Sequence, residues 1–420
     1  MKKLTFLVSL ILIVSLTANA QGWLNKLGDA AKNAAKRTVE NRVEKKAADE
    51  TDKAIDKLEK KGKKKDKNQT ADSDSNTSKV SNEKGKNASL QSFSKFDFVP
   101  GEKVVFYEDF TQDAIGDFPA LWYSNGSGEV VNLNNYAGNW LVIKAPGFYY
   151  PEKDLTTTEN FTIEFDLIPV TNADDDRFNF QFNILSDNIK NRDRDTDYPG
   201  KAGFKTGIAN AGISFEAFSK NTFSGNGKKE LEIEPHQKIH LSYCVQKTRV
   251  RLYLNETKVV DAPRILPEGF KYNMLMFYMT TAYNASCAIS NFRVASGIPD
   301  TRNKLLTEGK LVSYGIYFDV NKAEVKPESY GTLKELAQVL KENSDVRVKI
   351  VGHTDSDGDD AKNLDLSKRR SQAIKNALTK EFGIAADRLE CDGAGEKQPV
   401  AKNDTPSNKA LNRRVEFIKL

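Results

Sequence analysis

Apolar residues change their spacing several times along this chain, and each spacing predicts a different local structure. Residues 4–16 form a short, mostly apolar run. From 22 to 67 the apolar groups, among them Leu24, Leu27, Ala31, Ala35, Val39 and Val43, mostly recur every three or four residues, which keeps them on one helix face. Residues 68–95 are Ser, Asn, Asp, Lys and Thr with almost nothing to bury. Such a segment does not offset its ordering entropy and is expected to be a disordered linker.

The next 200 or so residues alternate. Phe161, Ile163, Phe165 and Leu167 share one face of a strand and Thr162, Glu164 and Asp166 the other. Phe178, Phe180, Phe182 and Ile184 repeat the pattern, and Ile239 to Val245 turns through Gln246, Lys247 and Thr248 into Val250, Leu252 and Leu254, a hairpin signature. Gly, Asn, Asp and Pro separate these runs, and no long helical pattern interrupts them. The expectation is an antiparallel β-sandwich over 96–297, with Glu164 and Asp166 on its wet face.

From 306 to 420 strands alternate with helices. Residues 314–320 and then Val346, Val348 and Ile350 read as strands, and Pro327 opens a helix carrying Leu333, Leu336 and Leu340. A second helix is expected to start at Leu366, with Ser367 as its cap and Ala373, Ile374, Ala377, Leu378 and Phe382 buried, and to end at Gly383. Short strands at 389–393 and 414–419 complete an α+β layer.

Charge sharpens the N-terminal segments. The chain of 420 residues has a net charge of +5, yet 22–67 alone holds 15 basic and 9 acidic residues, a net of +6. With a positive start at Lys2 and Lys3 and the small-x-small signal Ala18-Asn19-Ala20, residues 1–20 read as a cleaved secretory signal peptide; the apolar run falls short of the ~20 residues of a membrane span. The next residue is Gln21 and not Cys, which argues against a lipidated N-terminus. Residues 21–67 are then a basic amphipathic arm, either lying on anionic lipid or a partner helix or serving as a solvated spacer, and its mostly Ala stripe favours the spacer. Export removes nucleic acid as a partner. Cys244, Cys287 and Cys391 lack metal-type spacing, and pairing of Cys244 with Cys287 is left open.

Residues 238–243 and 250–260, with the opening Tyr107-Glu108-Asp109-Phe110 and the closing 289–294, resemble the strands of concanavalin-like (laminin-G-like) jelly rolls. Hydrolases of that fold carry Glu-x-Asp-x-x-Glu on one strand; here Glu164-Phe165-Asp166 begins the pattern, but position 169 is Pro, so the proton donor is missing and catalysis is not expected. The acidic clusters at 174–176 and 193–197 depart from a calcium loop, since Tyr198 stands where Gly is needed and Phe204 where the distal Glu is needed. Neither a metal nor another cofactor is expected.

The strongest signal lies at the C-terminal end. Gly315-Ile316-Tyr317-Phe318-Asp319 with Asn321 and Lys322, Val351-Gly352-His353-Thr354-Asp355, Asn363 with Leu366, Ser367 and Arg370, Gly393-x-Gly395-Glu396, and Asn412-Arg413-Arg414 resemble, in this order, the OmpA-type C-terminal domain shared with peptidoglycan-associated lipoprotein and flagellar stator proteins. The resemblance implies a peptidoglycan ligand, read at the zwitterionic end of its diaminopimelate side chain. An ammonium and a carboxylate on one carbon call for an anion and a bidentate cation close together. By the same match Asp355 takes the ammonium and Arg370 the carboxylate, aided by the N-terminus of the helix capped by Ser367. Asn363 shapes the connecting loop, Leu366 walls the pocket, and Thr354, Asp319 and Asn321 lie close by. Arg413 and Arg414 are expected to brace the final strand, with one of them a candidate contact to glycan.

The expectation is a non-enzymatic, exported protein of the periplasm or outer membrane of a Gram-negative envelope. It would hold peptidoglycan at one end while the sandwich or arm meets a glycan, a lipid or an outer-membrane protein. The alternatives are a wall-tethered glycan hydrolase or lectin built on the sandwich, and a transmembrane β-barrel in its place. Aromatics such as Trp122, Trp140, Tyr149 and Tyr150 on an exposed concave face would favour sugar binding.

Overall fold

The computed structural model describes residues 96–420, apart from 156–157, 173–174, 191–197, 221 and 281–284. The expected signal, arm and linker, and the cluster at 193–197, lie outside the described residues.

Two antiparallel sheets stack face to face, as the alternating runs predict. One orders Thr257–Ala262, Arg249–Leu254, Ile239–Gln246, Asn160–Val170, Ser286–Ser296, Tyr136–Ile143 and Gly128–Leu133, with Lys103–Glu108 added onto Ser286–Ser296. The other orders Thr222–Glu230, Gly212–Ser219, Ala202–Ala209, Asn179–Ser186, Met274–Met279, Gly147–Pro151 and Trp122–Ser124. Both are open paths with free edges, which sets the barrel alternative aside. The predicted hairpin forms with Gln246 opposite Arg249, and Lys247 takes the left-handed backbone (φ 53°) that its tight turn requires. Phe161, Ile163, Phe165 and Leu167 point into the core, where the ring of Phe165 lies 4.7 Å from that of Phe182 and 5.0 Å from that of Phe277.

One expectation for this layer fails, and the condition that would favour sugar binding is not met. Trp122, Trp140, Tyr149 and Tyr150 are all buried and form no exposed aromatic face. They sit on strands whose two faces are both covered, which a local pattern does not reveal. Glu164 and Asp166 are not wet: each is only 3% exposed. The α+β layer covers that face. Cys244 and Cys287 are free, buried thiols.

In the α+β layer a four-stranded sheet orders Lys310–Ser313, Val415–Lys419, Val348–His353 and Leu389–Gly395, the last pair parallel. The first strand therefore precedes the predicted 314–320. Those residues leave the sheet because their backbone is satisfied elsewhere: Tyr317 N–H donates to Ser329 Oγ at 2.8 Å, and Tyr317 C=O accepts from Lys326 N–H at 3.0 Å. Pro327–Ser329 starts a 3₁₀ turn that leads into the helix Tyr330–Glu342, which buries Leu333, Leu336 and Leu340. The long helix spans Asp360–Lys380, several residues earlier than expected, and its cap is Asp359, whose carboxylate accepts from the N–H groups of Ala361 and Lys362 at 3.0 Å. Ser367 is a buried interior residue of that helix. Its hydroxyl donates to Leu364 C=O at 2.8 Å and accepts from Gly395 N–H at 3.0 Å, and so stitches helix to sheet.

The sandwich and the α+β layer share one compact unit. Tyr107 and Ser407 exchange two hydrogen bonds, Ser407 Oγ accepting from Tyr107 N–H at 2.9 Å and donating to its C=O at 3.1 Å. Lys304 pairs with Glu102 at 3.1 Å. Gly331 lies so close to the Phe98 carbonyl that a Cβ would overlap it, which makes glycine obligatory there.

Candidate zwitterion-binding site

The motif glycines explain how the strand end meets the long helix. A Cβ on Gly352 would stand 2.4 Å from Ser367 O, and one on Gly393 2.3 Å from Ser367 Oγ. Without side chains at these points the helix lies directly on the strands, and the loop after Val348–His353 is held against its first turns.

Asp355 sits in that loop and is 8% exposed. Its Oδ1 accepts from Asp357 N–H at 3.2 Å and its Oδ2 from Arg413 Nη1 at 2.6 Å. Asn363, buried on the first turn of the helix, donates to the carbonyls of Asp355 and Asp357 at 3.3 and 3.1 Å and to Glu396 at 2.6 Å, so it gathers the loop around itself. The acidic residues beside it are employed structurally: Asp359 caps the helix, and Asp357 pairs with Lys409 at 2.7 Å.

Arg370 lies in the third turn, away from the helix N-terminus, so the helix-end N–H groups expected to assist it are not beside it. Instead Arg370 Nε donates to Lys322 C=O at 3.0 Å and Nη2 to Asp319 C=O at 3.2 Å, while its guanidinium stacks 4.9 Å from the Phe318 ring. Among the described residues no carboxylate lies within ion-pair distance of it. Burial lowers its pKa to about 10, and the attraction of Asp355 opposes that shift. Asp319 thus offers its backbone, its carboxylate being paired with Lys322 at 2.9 Å. Asn321 is exposed and sits at positive φ in the same turn. Thr354 is buried with an unpartnered hydroxyl. Leu366 is buried on the helix but does not line the neighbouring cavity.

That cavity, about 190 Å³, opens between the two layers. Arg370, Arg413, Phe318 and Gly352 line one side, and Tyr107, Glu164, Asp166, His240 and Arg293 of the sandwich line the other. His353 also faces it; burial and the nearby Arg414 hold its imidazole down at about 4, so it is neutral. Arg414 braces the last strand through Glu416 at 2.9 Å. Arg413 does not: it reaches out to Asp355. Sequence reasoning missed this division of labour and missed Tyr107 as a neighbour of Arg413, because nothing in the chain pattern brings residue 107 near residue 413.

Comparison with known proteins bears on the same stretch. Residues 317–413 match the OmpA family. This part of the chain is an OmpA domain. Outer membrane porin F of Pseudomonas aeruginosa is 42% identical over 105 residues, 25% of this chain and 30% of the porin. A peptidoglycan-binding protein, ArfA, of Mycobacterium bovis is 37% identical over 103 residues, 24% of this chain and 31% of that protein. The chain therefore spans about a third of the length of these curated relatives. The sandwich is similar to the carbohydrate binding module CBM66 from Bacillus subtilis, at 17% identity over 42% of this chain and 96% of that one, with a TM-score of 0.29.

Proposed function

We propose that this protein is a non-enzymatic component of the cell envelope that holds peptidoglycan noncovalently through its OmpA domain. Asp355 receives the ammonium of a diaminopimelate side chain and Arg370 its carboxylate, and Asn363 fixes the loop that carries Asp355. The observation that carries this reading is Arg370: a partly buried guanidinium fixed by two backbone carbonyls and a ring, with no carboxylate within ion-pair distance among the described residues. With Nε and Nη2 turned to backbone carbonyls, the Nη1 end is left to donate to a carboxylate ligand.

The likeness to a peptidoglycan-binding protein and an outer membrane porin supports the ligand and an outer-membrane envelope location. No helix among the described residues is long and apolar enough to cross a membrane, so attachment to the outer membrane would fall to another segment or to a partner.

The hydrolase alternative loses its footing at Glu164. A nucleophile must reach sugar, and this carboxylate is buried against Arg293 and Tyr317. The sandwich then serves as a platform for the OmpA domain, with its outward ligand a glycan or an envelope protein.

Retention on isolated peptidoglycan tests the reading. Asp355→Ala and Arg370→Ala should each abolish it, and undiminished retention of both variants would refute the assignment.

A further inference from the structure

The acid at this site is already engaged. Arg413 holds Asp355 Oδ2 at 2.6 Å, so an ammonium arriving there must displace or share that guanidinium. Arg413 has a second place to go. Its Nη2 is 3.9 Å from Oδ2 of Asp109, and its guanidinium lies 5.0 Å from the centre of the Tyr107 ring. Both residues belong to the sandwich. Oδ1 of Asp109 is pinned by Thr111, which donates through N–H at 3.2 Å and through its hydroxyl at 2.7 Å. Oδ2 is left to Arg413.

An ammonium arriving at Asp355 meets the positive charge of Arg413 at close range and is repelled while that guanidinium stays. Asp109 offers Arg413 a carboxylate a short swing away, with the Tyr107 ring as a surface on which the guanidinium stays stacked.

We infer that Asp109 of the sandwich is a positioning residue of the zwitterion site, receiving Arg413 when an ammonium occupies Asp355. This rests on the proposed function above and extends it: ligand binding transfers an ion pair from within the OmpA domain to the junction between the two layers, so the sandwich is part of the recognition machinery.

The test uses the full chain and two soluble probes, meso-diaminopimelate and pimelate, which differ by the ammonium groups. Titration calorimetry should show Asp109→Asn weakening diaminopimelate about tenfold, the scale of one charge-assisted contact, while pimelate is not weakened. In an Arg413→Gln background the same change should have no effect, since no cation remains to relocate. The inference is overturned if Asp109→Asn binds diaminopimelate like the unsubstituted chain while Asp355→Ala does not. Equal weakening toward both probes also overturns it, because a general structural role would not discriminate the ammonium. If the unsubstituted chain does not bind diaminopimelate, or if Asp355→Ala still does, the zwitterion reading itself falls and this inference with it.

Discussion

Arg293 and Glu164 face each other on neighbouring strands as a buried ion pair, 3.1 Å apart, and Tyr317 of the OmpA domain donates to the second oxygen of the same carboxylate at 2.7 Å. The pair is less a surface bridge than a clasp. Burial alone would push the Glu164 carboxyl up, yet Arg293, His240 and Tyr317 together hold it below its ordinary value.

Arg293→Met therefore leaves a buried carboxylate without its cation and should cost about 3–5 kcal/mol in urea unfolding of the full chain. Replacing both partners, Arg293→Met with Glu164→Leu, removes the stranded charge and should be milder. A single variant no less stable than the double would show that the pair is not buried as described.

His240 gives the clasp a pH dependence. Its Nδ1 lies 2.7 Å from Asp166 and its Nε2 3.8 Å from Glu164, with Lys238 and Asn291 also on Asp166. Burial lowers the imidazole's pKa, but the two carboxylates outweigh it and carry the ring up to about 9. A raised folded pKa means stability fully present below the unfolded value of about 6.5 and lost as pH rises through 9. Melting temperature should fall across that window, and His240→Gln should flatten the fall. An unchanged slope in His240→Gln would assign the dependence to other groups.

Gly352→Ala places a methyl 2.4 Å from Ser367 O, a backbone atom that does not yield readily. A loss of about 1–3 kcal/mol is expected from overpacking, together with weaker retention on peptidoglycan because the Asp355 loop is displaced. Wild-type melting would contradict the close approach.

Arg370→Lys keeps the charge and loses the planar fork and the stacking on Phe318. Retention on peptidoglycan should drop about tenfold or more with little change in melting temperature, the loss of one bidentate contact. Full retention would mean that charge alone is read.

How far the sequence reached depended on which side of an element was asked about. Phe161, Ile163, Phe165 and Leu167 could be placed inward because period-two alternation is set by the strand itself. Glu164 and Asp166 on the opposite face could not, because what covers them arrives from residues more than 150 positions away, as Tyr317 does. The OmpA motifs were legible for a similar local reason: Gly352 and Gly393 mark where a helix touches a sheet, and Asn363 and Asp355 lie only eight residues apart. Ser367 misled because a serine ahead of an apolar helical face has the chemistry of a cap, while the true cap, Asp359, hides in a run of acids that reads as loop. Asp359→Ala should show the difference by costing about 1 kcal/mol. Arg413 and Arg414 are adjacent and alike in composition, and only three dimensions separate the brace from the arginine on Asp355.

The two hydrogen bonds between Tyr107 and Ser407 have a mechanical meaning under the proposed role. A wall-bound protein is pulled, and a pull on Asp355 reaches the sandwich along the covalent connection at 297–300 and through the contacts between the two layers. Ser407, on the helix Pro406–Asn412 just before Arg413, provides a second route: force passes into Tyr107 on the strand Lys103–Glu108, and from there into its antiparallel neighbour Ser286–Ser296 at the middle of the sheet. Tension is thereby shared between a bonded tether and a hydrogen-bonded one, and the connection at 297–300 is spared the full load.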